Sequence, residues 1–421
     1  MQQCNGWTLD AWREAYRQGL NPADLLIPLR AELDPSDPAF THVVSAAELA
    51  EQLAHLATLA KPEDLPLYGI PCVIKDNIDV RGLPTTAACP AFAHLAETDA
   101  TSVAQLRAAG AIVLAKTNLD QFATGLVGTR SPYGAVPNSF NSAYISGGCS
   151  SGSAVAVARG LVPFSLGTDT AGSGRVPRRL QQSGRTEATR GRFSTTGVVP
   201  ACRSLDCVSI FALSVADAEC VAAVLESFDP ADGFSRPAEP ALRYIPAMPR
   251  FGIPSLLPWF GDEQAAGAWQ ASLDRLQAMG CELVELDFTP MQQLAQLLYQ
   301  GPWVAERYAA IAEFIETQPD EMNEVVSGII SKGADFSAAD AYRAEYRRAD
   351  LVRAIHALMA QVDALLVPTA PRHPTFVDVA ADPVGVNSQL GTWTNFVNLA
   401  DCSALALPAG LRGDGLPFGI N

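Results

Sequence analysis

The stretch SAVAVARGLVPFSLGTD, residues 153–169, reads as a helix, a glycine stop and a buried strand. Small and apolar residues run up to Arg159, Gly160 ends the helix, and the apolar run that follows has the density of a strand inside a sheet. The same order occurs upstream, where SVAQLRAAG (102–110) precedes AIVLAKTNL (111–119). PLYGIPCVIKDNIDV (66–80) reads as another short buried strand, punctuated by Gly69 and Pro71. Helix alternating with buried strand predicts an α/β sheet covered by helices. Working outward, TLDAWREAYRQG (8–19) and SAAELAEQLAHLATLA (45–60) have helical periodicity, and Ser45 with Glu48 has capping-box spacing. Downstream, DEQAAGAWQASLDRLQAMG (262–280) predicts a helix, CELVELDF (281–288) a strand, and VDALLVPTAP (362–371) a further buried strand. We expect one large α/β domain over residues 61–421, with a mixed, mostly parallel twisted sheet and helices on both faces. A helical segment precedes it over residues 1–60, and a helical insertion interrupts it at about 290–362.

The 421 residues carry a net charge of −16, which argues against nucleic acid as a partner, because phosphate binding needs a basic field. Nine cysteines are scattered without a C-x-x-C pair, the usage of reduced cytosolic thiols rather than a disulfide framework. The N-terminus has no signal-peptide core, and no apolar run reaches the roughly 18 residues of a membrane span. A soluble, cytoplasmic protein with no membrane partner is expected. His42, His55, His94, His356 and His373 lie far apart in sequence, so no metal site is expected.

GCSSG (148–152) formally matches the G-x-S-x-G nucleophile elbow, which would make Ser150 a nucleophile. That turn needs a buried strand before it, and the polar NSFNSAYIS precedes it here; a Gly/Ser loop entering a helix is the favoured reading. Three other segments carry more. GIPCVIKDNIDV (69–80) ends an apolar strand on Lys75, which either snorkels or is buried for a purpose; buried lysines lose charge and act as bases. SGGCSSGSAVAVA (146–158) is the second. GTDTAGSGRVP (167–177) is the third, with Ser173 on a turn of small residues whose N–H groups can converge on one point, as an oxyanion hole requires.

In this order the three segments resemble the amidase signature family, and the resemblance runs from about Leu67 to the last residue. Within the family the chain is most similar to the allophanate hydrolases, through GLPTTAACPAFA (82–93), GVVPACRSLDCVSIFA (197–212), QGPWVAERYAAI (300–311) and NFVNLADCSALALPAG (395–410). The resemblance implies a Ser–cis-Ser–Lys triad. Ser173 would attack an amide carbonyl, backbone N–H groups of Thr170, Ala171, Gly172 and Ser173 would hold the oxyanion, and Lys75 would take the proton through a bridging hydroxyl. Tyr299 and Arg307 match positions that bind a substrate carboxylate; the bland alternative for Arg307 is a solvated helix face. The implied activity is hydrolysis of allophanate (urea-1-carboxylate) through an acyl-enzyme, in urea or s-triazine nitrogen breakdown, without metal or organic cofactor and in a homodimer. The rivals are an amidase for another small carboxylated amide, such as malonamate, and a catalytically impaired relic.

The chain departs from the family in three places. The bridging serine is replaced by Cys149, at the family interval of 24 residues before the nucleophile (173 − 149). A thiol is a weak donor, and a lysine–thiol pair can settle as an ion pair; Ser150 taking over by a one-residue slip is the alternative. PRRLQQSGRTEATRG (177–191) replaces the family's P-A-A-x-N-N-x-x-G-L-K-P. With one permitted set of codons, the frame beginning at the second base reads RAACNNRAGLKP, so two compensating frameshifts would account for residues 178–188; a functional basic loop is the alternative. Translated as written, the segment is expected to leave for solvent or to cost the core several kcal/mol per buried charge. Lastly, the family continues into a further strand and helix where this sequence stops, so the chain is expected to be truncated within its core and to lack any C-terminal domain.

Overall fold

The computed structural model describes residues 4–59, 64–177, 189–237 and 246–421, and the backbone alone of 184–187. One sheet of eight strands organises the fold. Edge to edge it runs Phe40–Val43, Ile112–Thr117, Pro71–Lys75, Phe164–Asp169, Cys207–Ala212, Gly184–Glu187, Ala404–Leu411 and Pro417–Ile420. The two units read from the sequence supply its centre. Thr101–Ala108 is helical and leads to Ile112–Thr117, and Ser151–Ala158 leads to Phe164–Asp169. Every residue of these two strands and of Pro71–Lys75 is buried.

The sheet is mixed, as expected, but it is not mostly parallel. Pro71–Lys75 is parallel to both its neighbours, whereas the strands from Cys207 onward, and the edge strand Phe40–Val43, pair antiparallel. Parallel pairing needs a crossover, and the helices Thr101–Ala108 and Ser151–Ala158 supply one on each side of the central strands of this sheet. Ala404–Leu411 and Pro417–Ile420 form a hairpin instead.

The first 60 residues hold the expected helices, Leu9–Arg17 and Ala46–Leu56, and the Ser45–Glu48 capping box is formed. They also supply the sheet's edge strand, and Leu9, Trp12, Leu26 and Val44 share one apolar core with Ile74, Val113 and Leu166. Helices Thr289–Gln300, Trp303–Ala310 and Ala338–Met359 build a second core cluster over the region read as an insertion. CELVELDF gives the strand Glu282–Leu286, but in a separate three-stranded sheet where it pairs with Arg250–Pro254; VDALLVPTAP gives only Ala364–Leu365, on the other side of Arg250–Pro254. Residues 178–183 and 188, seven of the fifteen in PRRLQQSGRTEATRG, lie outside the described residues. The backbone of Gly184–Glu187 has not left for solvent. It pairs with Ser209–Ala212 on one side and Ala404–Ala406 on the other, so the ladder keeps its hydrogen bonds whatever side chains the strand carries.

A second buried lysine, not singled out in the sequence, lies next to Lys75 in the sheet. Lys116 pairs with Ile74 in register, sits 3.1 Å from Asp76, and donates to Pro84 O (3.0 Å) and Thr85 Oγ1 (2.9 Å). Both charges are fully buried. Removing one partner leaves the other uncompensated, so Lys116→Met is expected to cost about 3–5 kcal/mol. Denaturant unfolding of the two proteins measures this, and a loss below about 1 kcal/mol would show the pair to be dispensable.

Candidate active site

Adjacent parallel strands bring the first and third segments together. Pro71–Lys75 ends on Lys75, and Phe164–Asp169 runs beside it into the turn that carries Ser173. Lys75 Nζ is buried and donates to Thr168 Oγ1 at 2.7 Å; Asn77 Nδ2 donates to the same hydroxyl at 3.3 Å. Thr168 lies within the motif read from the sequence, yet its link to Lys75 was missed, because only the strand pairing brings residues 93 apart into contact.

The Ser173 turn is shaped from inside by Asp169. Its carboxylate accepts from Gly172 N, from Gly174 N at 3.0 Å and from Arg175 N at 3.2 Å, and it pairs with the fully buried Arg175 guanidinium at 3.1 Å. Arg175 also donates to Thr394 O and Asn398 Oδ1, and Asn398 Nδ2 donates to Asp169 O and Leu205 O. The expected oxyanion set is therefore altered at one position. The Gly172 N–H is spent on capping the turn, while among the described residues no hydrogen bond engages the N–H groups of Thr170, Ala171 or Ser173. Gly172 has φ +123°, and a Cβ there would stand 2.1 Å from Thr394 Oγ1, so only glycine fits.

Cys149 lies in the loop before the helix Ser151–Ala158, fully buried and beside Lys75. Its thiol donates to Asp120 O at 3.3 Å. Burial pushes it up to about 11, more than the neighbouring Lys75 pulls it down. Burial therefore works against the lysine–thiolate ion pair considered from the sequence. Ser150 is turned elsewhere: its hydroxyl donates to Thr168 O at 3.0 Å, and its N–H donates to Ser173 O at 3.1 Å. A loop, not a strand, leads into Ser150, as the Gly/Ser-loop reading expected. All peptide bonds among the described residues are trans, including those flanking Cys149, where the resemblance implied a cis bond.

Arg307 is not on a solvated helix face. It sits on Trp303–Ala310 at 2% exposure and donates through Nη1 to Ala123 O (3.3 Å) and Thr124 Oγ1 (3.0 Å). Its guanidinium carbon lies 5.4 Å from the ring centroid of Tyr299, in the last turn of Thr289–Gln300. The Arg307 charge acts on the Cys149 thiol, so the cation and the Lys75–Cys149 pair belong to one buried cluster. Asp206 is a further member that the sequence did not single out. It accepts from Thr170 Oγ1 at 2.5 Å and from Ala201 N at 2.8 Å, and burial raises its carboxyl to about 6. Among the described residues no three His, Cys, Asp or Glu side chains meet as metal ligands, and no helix is long and apolar enough to cross a membrane.

A family model described as Amidase matches residues 30–421. The urea amidolyases of Lachancea kluyveri and Saccharomyces cerevisiae are each 47% identical over 424 residues, covering 99% of this chain and 23% of theirs. The chain thus spans about a quarter of the length of these curated relatives. A glutamyl-tRNA(Gln) amidotransferase subunit from Chlorobium luteolum is 32% identical over 84% of this chain and 80% of its own. Among solved structures, Kluyveromyces lactis allophanate hydrolase superposes with a TM-score of 0.96 at 46% identity, covering 99% of this chain and 70% of that one.

Proposed function

The chain belongs to the amidase family, and from that premise we propose that it hydrolyses allophanate, releasing ammonia and carbon dioxide. The observation that carries the substrate is the buried Arg307 beside Tyr299, in a chain about half identical to urea amidolyases and an allophanate hydrolase along almost its whole length. A carboxylated amide would offer its carboxylate to the guanidinium and its amide carbonyl to Ser173. Attack by the Ser173 hydroxyl forms the acyl-enzyme. The proton travels through position 149 to Lys75 and on to the departing ammonia, and the N–H groups of Thr170, Ala171 and Ser173 face the oxyanion. Water then releases the acyl group as N-carboxycarbamate, which breaks down to carbon dioxide and a second ammonia. No step requires a metal or organic cofactor.

A second reading is favoured by one observation, the buried thiol of Cys149 hydrogen-bonded to Asp120 O where the relay requires a hydroxyl: a catalytically impaired member of the family. An amidase for malonamate or a similar small carboxylated amide would use Arg307 in the same way. We further propose a cytoplasmic homodimer acting in urea or s-triazine nitrogen breakdown, with residues 61–421 as the amidase unit, residues 1–60 as a segment packed on it, and 290–362 as an insertion carrying Tyr299 and Arg307.

The test is ammonia release from allophanate against malonamate and neutral amides. Arg307→Lys keeps the charge and loses the planar fork. It is expected to weaken binding of the carboxylated substrate by about 1–3 kcal/mol, read as a raised KM. An unchanged KM for allophanate removes Arg307 from the site.

A further inference from the structure

We infer that Arg130, through Thr124, is a second determinant of this pocket's preference for a carboxylate, an inference that rests on the assignment of Arg307 to the substrate carboxylate. Arg130 is 3% exposed and Arg307 2%. The two guanidiniums reach Thr124 from different sides. Arg130 Nη1 donates to Thr124 O at 3.0 Å, and Arg307 Nη1 donates to Thr124 Oγ1, also at 3.0 Å. The Thr124 hydroxyl passes its own proton to Phe122 O at 3.1 Å, so it is held as an acceptor for Arg307. The second arm of Arg130, Nη2, donates to Pro383 O at 2.7 Å.

Neither cation is neutralised. All the bonds they make go to carbonyl or hydroxyl oxygens, and among the described residues both Nε–H groups are buried without a partner. The acid whose charge reaches Arg307 is Asp206, whose carboxyl burial raises to about 6. Two buried guanidiniums without a carboxylate are costly to keep in a folded chain. Both also act on Tyr299, whose phenol feels Arg130 as well as Arg307. Two guanidiniums on one threonine suit a nearby anion, and a neutral amide of the same shape gains nothing from them.

The backbone at this point is also strained. Phe122 and Ala123 have φ +50° and +51°, and Phe122 N donates to the carbonyl of Ala87, another left-handed residue (φ +49°). Such conformations persist where surrounding contacts over-determine them. Here Asp120 accepts the N–H groups of Val127, Gly128, Thr129 and Arg130, and Arg130 grips the Thr124 carbonyl. The strained turn therefore presents Ala123 O and Thr124 Oγ1 to Arg307, and Arg130 closes it. Arg130 acts as a positioning residue for the Arg307 fork and as a second source of positive field.

The experiment measures binding calorimetrically in a Ser173→Ala background, which stops turnover, using malonamate and its neutral isostere malonamide. Arg130→Met is expected to weaken malonamate binding about tenfold or more while shifting malonamide by less than about twofold. Arg130→Lys, which keeps the charge and loses the two-armed grip, should fall between. Thr124→Val, which removes only the hydroxyl, should weaken malonamate by a few-fold, and with Arg130→Lys it keeps the test decisive if Arg130→Met does not fold. Equal losses for both ligands, or no loss of malonamate, would overturn the inference. Arg307→Met run in parallel separates the two claims. If it also leaves the malonamate preference intact, the carboxylate assignment itself fails; if it destroys the preference while the Arg130 and Thr124 variants do not, only the inference about Arg130 fails.

Discussion

Ser173→Ala is expected to abolish amide hydrolysis, with a loss of roughly 10⁴–10⁶-fold, the scale seen when a covalent nucleophile is deleted. Ser173 sits on the turn capped by Asp169, next to unengaged N–H groups, and nothing else in the turn carries a nucleophile of that placement. An activated phosphonate should label the parent protein at Ser173 and leave the variant unlabelled. The substitution removes one oxygen and no packing, so the melting temperature should stay within about a degree or two. Ser150 is the competing hydroxyl, and it is tied to the main chain of Thr168 in both directions, as donor to its carbonyl and acceptor from its N–H. Peptide mapping that found the phosphonate on Ser150 would reverse the assignment of the nucleophile.

Cys149→Ser should raise the rate of allophanate hydrolysis by about 10²–10⁴-fold, the usual contribution of a well-placed proton relay. The thiol is held near 11 by burial, donates weakly and directs its proton to Asp120 O. A hydroxyl is a stronger hydrogen-bond donor than a thiol and forms shorter bonds. From the sequence alone this gain is conditional on repairing residues 178–188. The ladder contacts of Gly184–Glu187 remove that condition, because the strand's backbone already completes the sheet behind the Ser173 turn. The single substitution should therefore show its gain by itself. Restoring AACNNRAGLKP over 178–188 should act separately, on melting temperature and solubility. A four-way comparison of the parent, each change and both together, scored by ammonia release and thermal unfolding, resolves the two contributions. A parent protein already as fast as the Cys149→Ser variant would show that the thiol relays protons as well as a hydroxyl.

The sequence by itself determined the local units and the residues that end them. Ser45 and Glu48 cap a helix because their reciprocal bonds span only three residues. Gly160 stops a helix at φ +71°, where a Cβ would lie 2.5 Å from Gly6 N, and the apolar runs on either side of such stops are buried wherever they fall. Lys75 and Ser173 were legible because each ends or follows a buried strand within a short motif, so their setting is written in neighbouring residues. Only the tertiary structure decided what those residues meet. Local periodicity places Arg307 on a helix, but its burial depends on Ala123 and Thr124, more than 180 residues away. Arg130, Asp206 and Thr168 carry no local signal, since their roles lie in hydrogen bonds closed by strand pairing and by the packing of distant loops. The predominance of antiparallel pairs was hidden for the same reason: a strand's apolar pattern records that it is buried, not the direction of the neighbour that buries it.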